Sequence, residues 1–151
     1  MIQRIQTVYL FLVVVLGTLL CFFPSMQFQI DAVDTLVNLS VFDKWPIAVM
    51  TIASPVLAFV TIFLFKHRLL QSRINIMNVI ICLGYYAILA LYTAYIVKGH
   101  ETIDGYDNLL GAAWYPTVWA SIPLVNLILL MMATRRILKD EALVRAADRL
   151  R

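Results

Sequence analysis

The side chains able to ligate a metal, attack a bond or carry a proton are few in this sequence, and they are scattered. His67 and His100 lie at opposite ends of one long apolar stretch, so they cannot jointly hold a metal. Cys21 and Cys82 sit inside different apolar stretches, at depths that differ by roughly 18 Å for a rise of about 1.5 Å per residue. A disulfide needs Cα atoms within about 7 Å, so both are expected to be unpaired packing residues. Asp104 and Asp107 do not have the ligand spacing of a calcium loop and read as solvated acids. No Ser, His and acid share a depth for nucleophilic catalysis. An enzyme acting on lipid has only His67 and the arginines beside it as a foothold.

The apolar stretches contain no ionisable side chain, which disfavours a proton relay or pump built on buried carboxylates. Their polar content is Asn78, Asn126, Ser54 and Ser121. Hydrogen bonds between helices, worth about 0.6 kcal/mol on average, are the ordinary role of such residues. A transport path would need these four to face one another or a pore. Ser54-Pro55 and Ser121-Ile122-Pro123 each fall near the middle of an apolar stretch. Two mid-helix kinks at Pro55 and Pro123 follow, and with them the hypothesis that the two halves of the chain are parallel pseudo-repeats. Ser54-xxx-Ala58 and Ala90-xxx-Ala94 are small-xxx-small pairs that permit close helix approach.

The elements that position these residues follow from composition. The 151 residues are 62% hydrophobic and 14% charged, too apolar for the surface of a soluble domain, where charged residues make up roughly 25%. Four apolar windows, residues 5–23, 46–65, 76–97 and 113–133, are each long enough to cross a hydrocarbon core of about 30 Å. The first lacks a small-x-small cleavage site and reads as an uncleaved helix rather than a signal peptide. The net charge of +3 lies at the ends of these windows, with no P-loop, zinc-knuckle spacing or basic stripe, so nucleic acid is not an expected partner.

Orientation follows from the positive residues. Arg4, Lys66, Arg68, Arg73, Arg135, Arg136, Lys139, Arg145, Arg149 and Arg151 fall on one side, and only Lys44 and Lys98 on the other. The first side is therefore expected to be cytoplasmic, with both termini inside. The expected architecture is an all-α membrane protein, one domain over residues 1–151. Its four transmembrane helices form a bundle with outer loops 24–44 and 98–112, an inner loop 66–75 and a cytoplasmic tail 134–151.

Within the first outer loop, Met26, Phe28 and Ile30 alternate with polar residues, as do Val37, Leu39 and Val41. That period predicts a short extracytoplasmic β-hairpin turning at residues 31–34, with an interfacial helix in the second half as the rival. Beyond the last span, Leu143, Ala146, Ala147 and Leu150 make one helical face, and Glu141 precedes Arg145 by one turn. Such a tail can lie on the inner leaflet, pack under the bundle or dock a partner.

Two terminal segments carry a family resemblance. The run Met1-Ile2-Gln3-Arg4-Ile5-Gln6-Thr7-Val8-Tyr9-Leu10 and the run from Lys139-Asp140-Glu141 through Arg149-Leu150-Arg151 resemble the end signatures of domain-of-unknown-function family 4293. These are short four-span membrane proteins of Bacteroidota. The resemblance implies a bacterial inner-membrane location and brings no activity, substrate or cofactor. Both signatures are expected at the inner face, which makes Gln3, Arg4, Gln6, Arg145, Asp148 and Arg149 the candidate partner surface. The expected function is a non-enzymatic accessory or scaffold protein that binds a membrane partner, without a cofactor. A small transporter or channel formed by self-association, and a membrane-embedded enzyme acting on lipid, are the alternatives.

Overall fold

In the computed structural model, residues 3–30, 35–64, 67–98 and 113–148 are described. The described residues form four helices and three short strands in the order α1 (Gln3–Leu20), β1 (Met26–Ile30), β2 (Thr35–Leu39), α2 (Trp45–Phe63), α3 (Arg68–Val97), β3 (Ala113–Pro116) and α4 (Ile122–Asp148), with a 3-10 turn at Val118–Ser121. Each helix packs on two neighbours in a closed ring, α1 against α2 and α4, and α3 against α2 and α4. At about 1.5 Å per residue, α1 and α2 (18 and 19 residues) are about 27–28 Å long, while α3 (30 residues) and α4 (27 residues) reach about 40–45 Å. Three helical segments, Trp45–Phe63, Arg68–Val97 and Val118–Val144, are long and apolar enough to cross a membrane, and Ile5–Leu20 is a shorter apolar helix.

Several boundaries differ from those expected. The first helix ends at Leu20, because Pro24 biases Phe23 away from helical geometry and Phe23 stacks on Trp119 at 3.7 Å between ring centroids. The expected inner loop 66–75 is mostly helix, since α3 begins at Arg68. The fourth window begins as a strand: β3 pairs with β1 (Phe28↔Trp114, Gln27↔Tyr115), and α4 starts only at Ile122. Pro123 therefore occupies the first turn of α4, where a missing N–H leaves no intrahelical bond unmade. It is not a mid-span kink. Pro55 does lie inside α2, so the two prolines are not equivalent and do not form the matched pair of kinks on which the pseudo-repeat rested.

The hairpin is present and larger than expected. β1 pairs antiparallel with β2 (Met26↔Leu39, Phe28↔Val37), and β3 adds to its other edge, giving the order β2-β1-β3. The turn 31–34 lies outside the described residues. Met26 and Phe28 point into a core of Leu20, Val41, Ile47, Tyr85, Leu89 and Ile96, so the sheet closes one end of the bundle. Ser25 bonds the Tyr85 hydroxyl at 2.7 Å, and the Thr117 hydroxyl donates to Pro24 O at 2.6 Å, tying the segment before β1 to α3 and to the residue that leads into the 3-10 turn.

The helix faces are inverted relative to a water-soluble bundle. Large apolar side chains such as Phe11, Val56, Ile80, Leu91 and Leu124 are exposed, while Gln71, Ser72, Asn75, Asn78 and Thr93 are buried. At the α1–α2 contact a Cβ on Gly17 would stand 3.1 Å from Cβ and Cδ of Pro55. At Gly84 it would meet only the tip of Met50, at 3.3 Å. The proline ring cannot swing aside, whereas the methionine tip can. Gly17→Ala is therefore expected to destabilise the protein by about 1–3 kcal/mol, net of the helix-propensity gain, and Gly84→Ala to be neutral or mildly stabilising. Thermal unfolding in detergent checks the pair, and equal shifts would refute the close-approach argument.

Candidate functional site

α3 carries most of the polar contacts inside the bundle. Its buried residues Gln71, Asn75, Asn78, Cys82, Tyr85 and Leu89 follow one another at three- and four-residue steps, so they form one face. Gln71 donates from Nε2 to Thr61 O of α2 at 3.2 Å, and Asn78 from Nδ2 to Ser54 O of α2 at 2.9 Å. Asn75 donates from Nδ2 to Leu130 O and Thr134 Oγ1 of α4, at 2.9 and 2.7 Å. The face thus holds α2 and α4 at once. In each asparagine the side-chain carbonyl, Oδ1, is buried without a partner among the described residues, as is Oδ1 of Asn126.

Of the expected intramembrane positions, Ser54, Pro55, Asn78, Pro123 and Asn126 are buried in the bundle. Ser54, Pro123 and Asn126 line one cavity together with Thr51, Cys82 and Tyr85, and Ser54 Oγ lies 3.5 Å from Cys82 Sγ. The cavity is about 10 Å³, room for about one water molecule. Ser121 does not join them. It is exposed and donates to Val118 O at 2.6 Å within its own turn. Cys21 and Cys82 are both free thiols.

A second polar contact ties the ends of the chain together. Gln6 of α1 donates from Nε2 to a carboxylate oxygen of Asp140 on α4, 134 residues away, and both side chains are buried. Arg68, at the start of α3, reaches Asp140 O from Nη1 at 3.4 Å. Of the expected partner surface, Gln6 is accordingly an interior residue whose amide is occupied. The side chains of Gln3, Arg4, Arg145 and Asp148, and all of Arg149, lie outside the described residues.

Sequence reasoning missed Asn75, Gln71 and Asp140. The signal for the first two was present in the four-three-four spacing of Gln71, Asn75, Asn78 and Cys82, which the expected loop at 66–75 cut off. Nothing local marks Asp140. Its partner is set by the tertiary fold.

Among the described residues no group of three or more His, Cys, Asp or Glu side chains is placed to hold a metal ion. Two open clefts are formed by described residues. One, of about 400 Å³, runs along α3 past Leu89, Ala90 and Ala94 to Met26 of β1. The other, of about 660 Å³, lies where α3 begins and α4 ends, between His67, Arg68 and Arg73 on one side and Glu141 and Val144 on the other.

Asp140→Ala strands the buried Gln6 amide and is expected to destabilise by about 1–3 kcal/mol. Combining it with Gln6→Leu restores part of the loss, giving a coupling of about 0.5–3 kcal/mol in a double-mutant cycle read by thermal unfolding. Strict additivity would mean that the contact contributes nothing.

The two segments joined by Gln6 and Asp140 are those whose residues carry the family resemblance. No curated protein and no solved structure matches the chain. A family profile described as a domain of unknown function, DUF4293, matches residues 2–150. With the match extending over nearly the whole sequence and taking in both terminal segments, the chain belongs to the DUF4293 family.

Proposed function

We propose that this protein crosses a bacterial inner membrane four times, keeps both termini in the cytoplasm, and serves as a non-enzymatic accessory or scaffold that holds a membrane partner. The inverted helix faces support the membrane reading. Exposed Phe, Leu, Ile and Val suit a hydrocarbon solvent, and the buried N–H donors of Asn75 and Asn78 find acceptors inside the bundle. Orientation is supported by the end where α3 starts and α4 finishes, which carries Arg68, Arg73, Arg135, Arg136 and Lys139.

The observation that carries the partner reading is the cleft of about 400 Å³ beside α3. Ala90 and Ala94, one turn apart and both exposed, make its floor shallow, and small side chains let a second helix approach closely. Tyr86 and Leu89 border it, and Met26 of β1 closes one end, so the cleft joins the helical surface to the sheet. A transport path through a single copy finds no such support, because the cavity between Ser54 and Asn126 is about 10 Å³. Transport would need a path between copies.

The test is native mass after gentle extraction from the source membrane, with identification of co-eluting chains. A defined complex with a different protein is expected. Ala90→Leu with Ala94→Leu fills the cleft and is expected to lower the partner's occupancy at least tenfold while leaving Tm within a few degrees. A symmetric homo-oligomer with nothing else bound would overturn the accessory reading and favour self-association.

A further inference from the structure

We infer that the cleft where α3 begins and α4 ends binds the phosphate of an anionic membrane lipid. The inference rests on the membrane reading above, which places this cleft at the cytoplasmic leaflet. The cleft, of about 660 Å³, is lined on its α3 side by His67, Arg68 and Arg73. Its rim carries Leu69, Leu70 and Val144, exposed at 49%, 47% and 43%. A cationic pocket flanked by apolar side chains matches an amphiphile: the phosphate meets the guanidinium groups and the first acyl carbons meet the leucines. A free inorganic anion would use only the first half of that surface.

The cations are available. Arg73 is exposed and has no hydrogen-bond or ion-pair partner among the described residues. Arg68 is half-buried, and its long 3.4 Å contact with Asp140 O holds the guanidinium near the cleft without neutralising it. α3 adds charge of the same sign. It starts here with no side-chain cap from His67 and no acid in its first turn, so its unpaired N–H groups and the positive end of its dipole face this end. Opposing them is Glu141, which lines the cleft and has an interaction of its own. The Asp140 carboxylate is engaged by Gln6. Two guanidinium groups and a helix terminus therefore face one carboxylate, a surplus suited to a phosphodiester. Basic pockets between membrane helices on the cytoplasmic side bind lipid headgroups on this principle. Arg135 and Arg136 lie exposed on α4 outside the cleft and serve as controls of equal charge.

The experiment reconstitutes the full chain into phosphatidylcholine vesicles containing a minority of phosphatidylglycerol, then weighs the lipid retained after gentle extraction. Retention of phosphatidylglycerol over phosphatidylcholine is expected. Arg73→Gln is expected to lower it about fivefold, from about one surface cation's contribution, while Arg135→Gln leaves it unchanged. Arg73 is exposed, so that variant keeps the fold, and Arg68→Gln provides a second reading within the cleft. Equal losses from Arg73→Gln and Arg135→Gln would overturn the site in favour of diffuse charge. Displacement of the lipid by millimolar inorganic phosphate would overturn it in favour of a free anion. Vesicle flotation separates the two levels: a chain that floats but shows no lipid preference refutes the site alone, and one that does not float refutes the membrane reading with it.

Discussion

Asn75 and Asn78 each donate an amide hydrogen to a backbone carbonyl on a neighbouring helix, one toward α4 and the other toward α2. In the hydrocarbon solvent of the proposed membrane setting, apolar side chains gain nothing by leaving lipid for a helix interface. Close packing and hydrogen bonds must then set which faces meet. Two donors three residues apart on α3 set that geometry for both neighbours at once, and Gln71 repeats it a turn earlier. The rotation of α3 about its axis follows from those three residues, and with it the outward placement of Ile80, Leu83 and Leu91.

The two ends of the bundle are closed by different means. At one end a three-stranded sheet buries Met26 and Phe28 over the helix termini, with its polar backbone paired along both edges of β1. At the other, a buried side-chain hydrogen bond between Gln6 and Asp140 joins the first helix to the last, with Arg68 beside it. Between the ends, Gly17 lets α1 approach Pro55 of α2 closely. Among the described residues, an apolar cleft lies beside the sheet and a basic one at the opposite end.

The terminal segments connect fold and family. Gln6 and Asp140 belong to the segments that resemble the family's end signatures, and their contact gives part of that pattern a structural meaning. A pattern that looked like a partner surface in sequence is, at Gln6, an internal tie. The basic cleft next to it is lined by Arg68 and Arg73 from the first two turns of α3.

What the sequence determined by itself was whatever depends on local composition. Apolar run length specified the helices, alternation at Met26, Phe28, Ile30 and at Val37, Leu39, Val41 specified a hairpin whose second strand lies at Thr35–Leu39, and the tail periodicity specified the continuation of α4 to Asp148. The polar residues Ser54, Asn78 and Asn126 were legible because a polar side chain inside an apolar run is conspicuous. The tertiary structure alone decided the rest, because each remaining feature depends on a partner far along the chain. Ala113–Pro116 forms a strand because β1 offers a free edge, overriding its apolar character. Pro123 begins a helix rather than bending one because the chain before it is committed to the sheet and the 3-10 turn. Asp140 is buried only because Gln6, at the other end of the chain, supplies the donor its carboxylate needs.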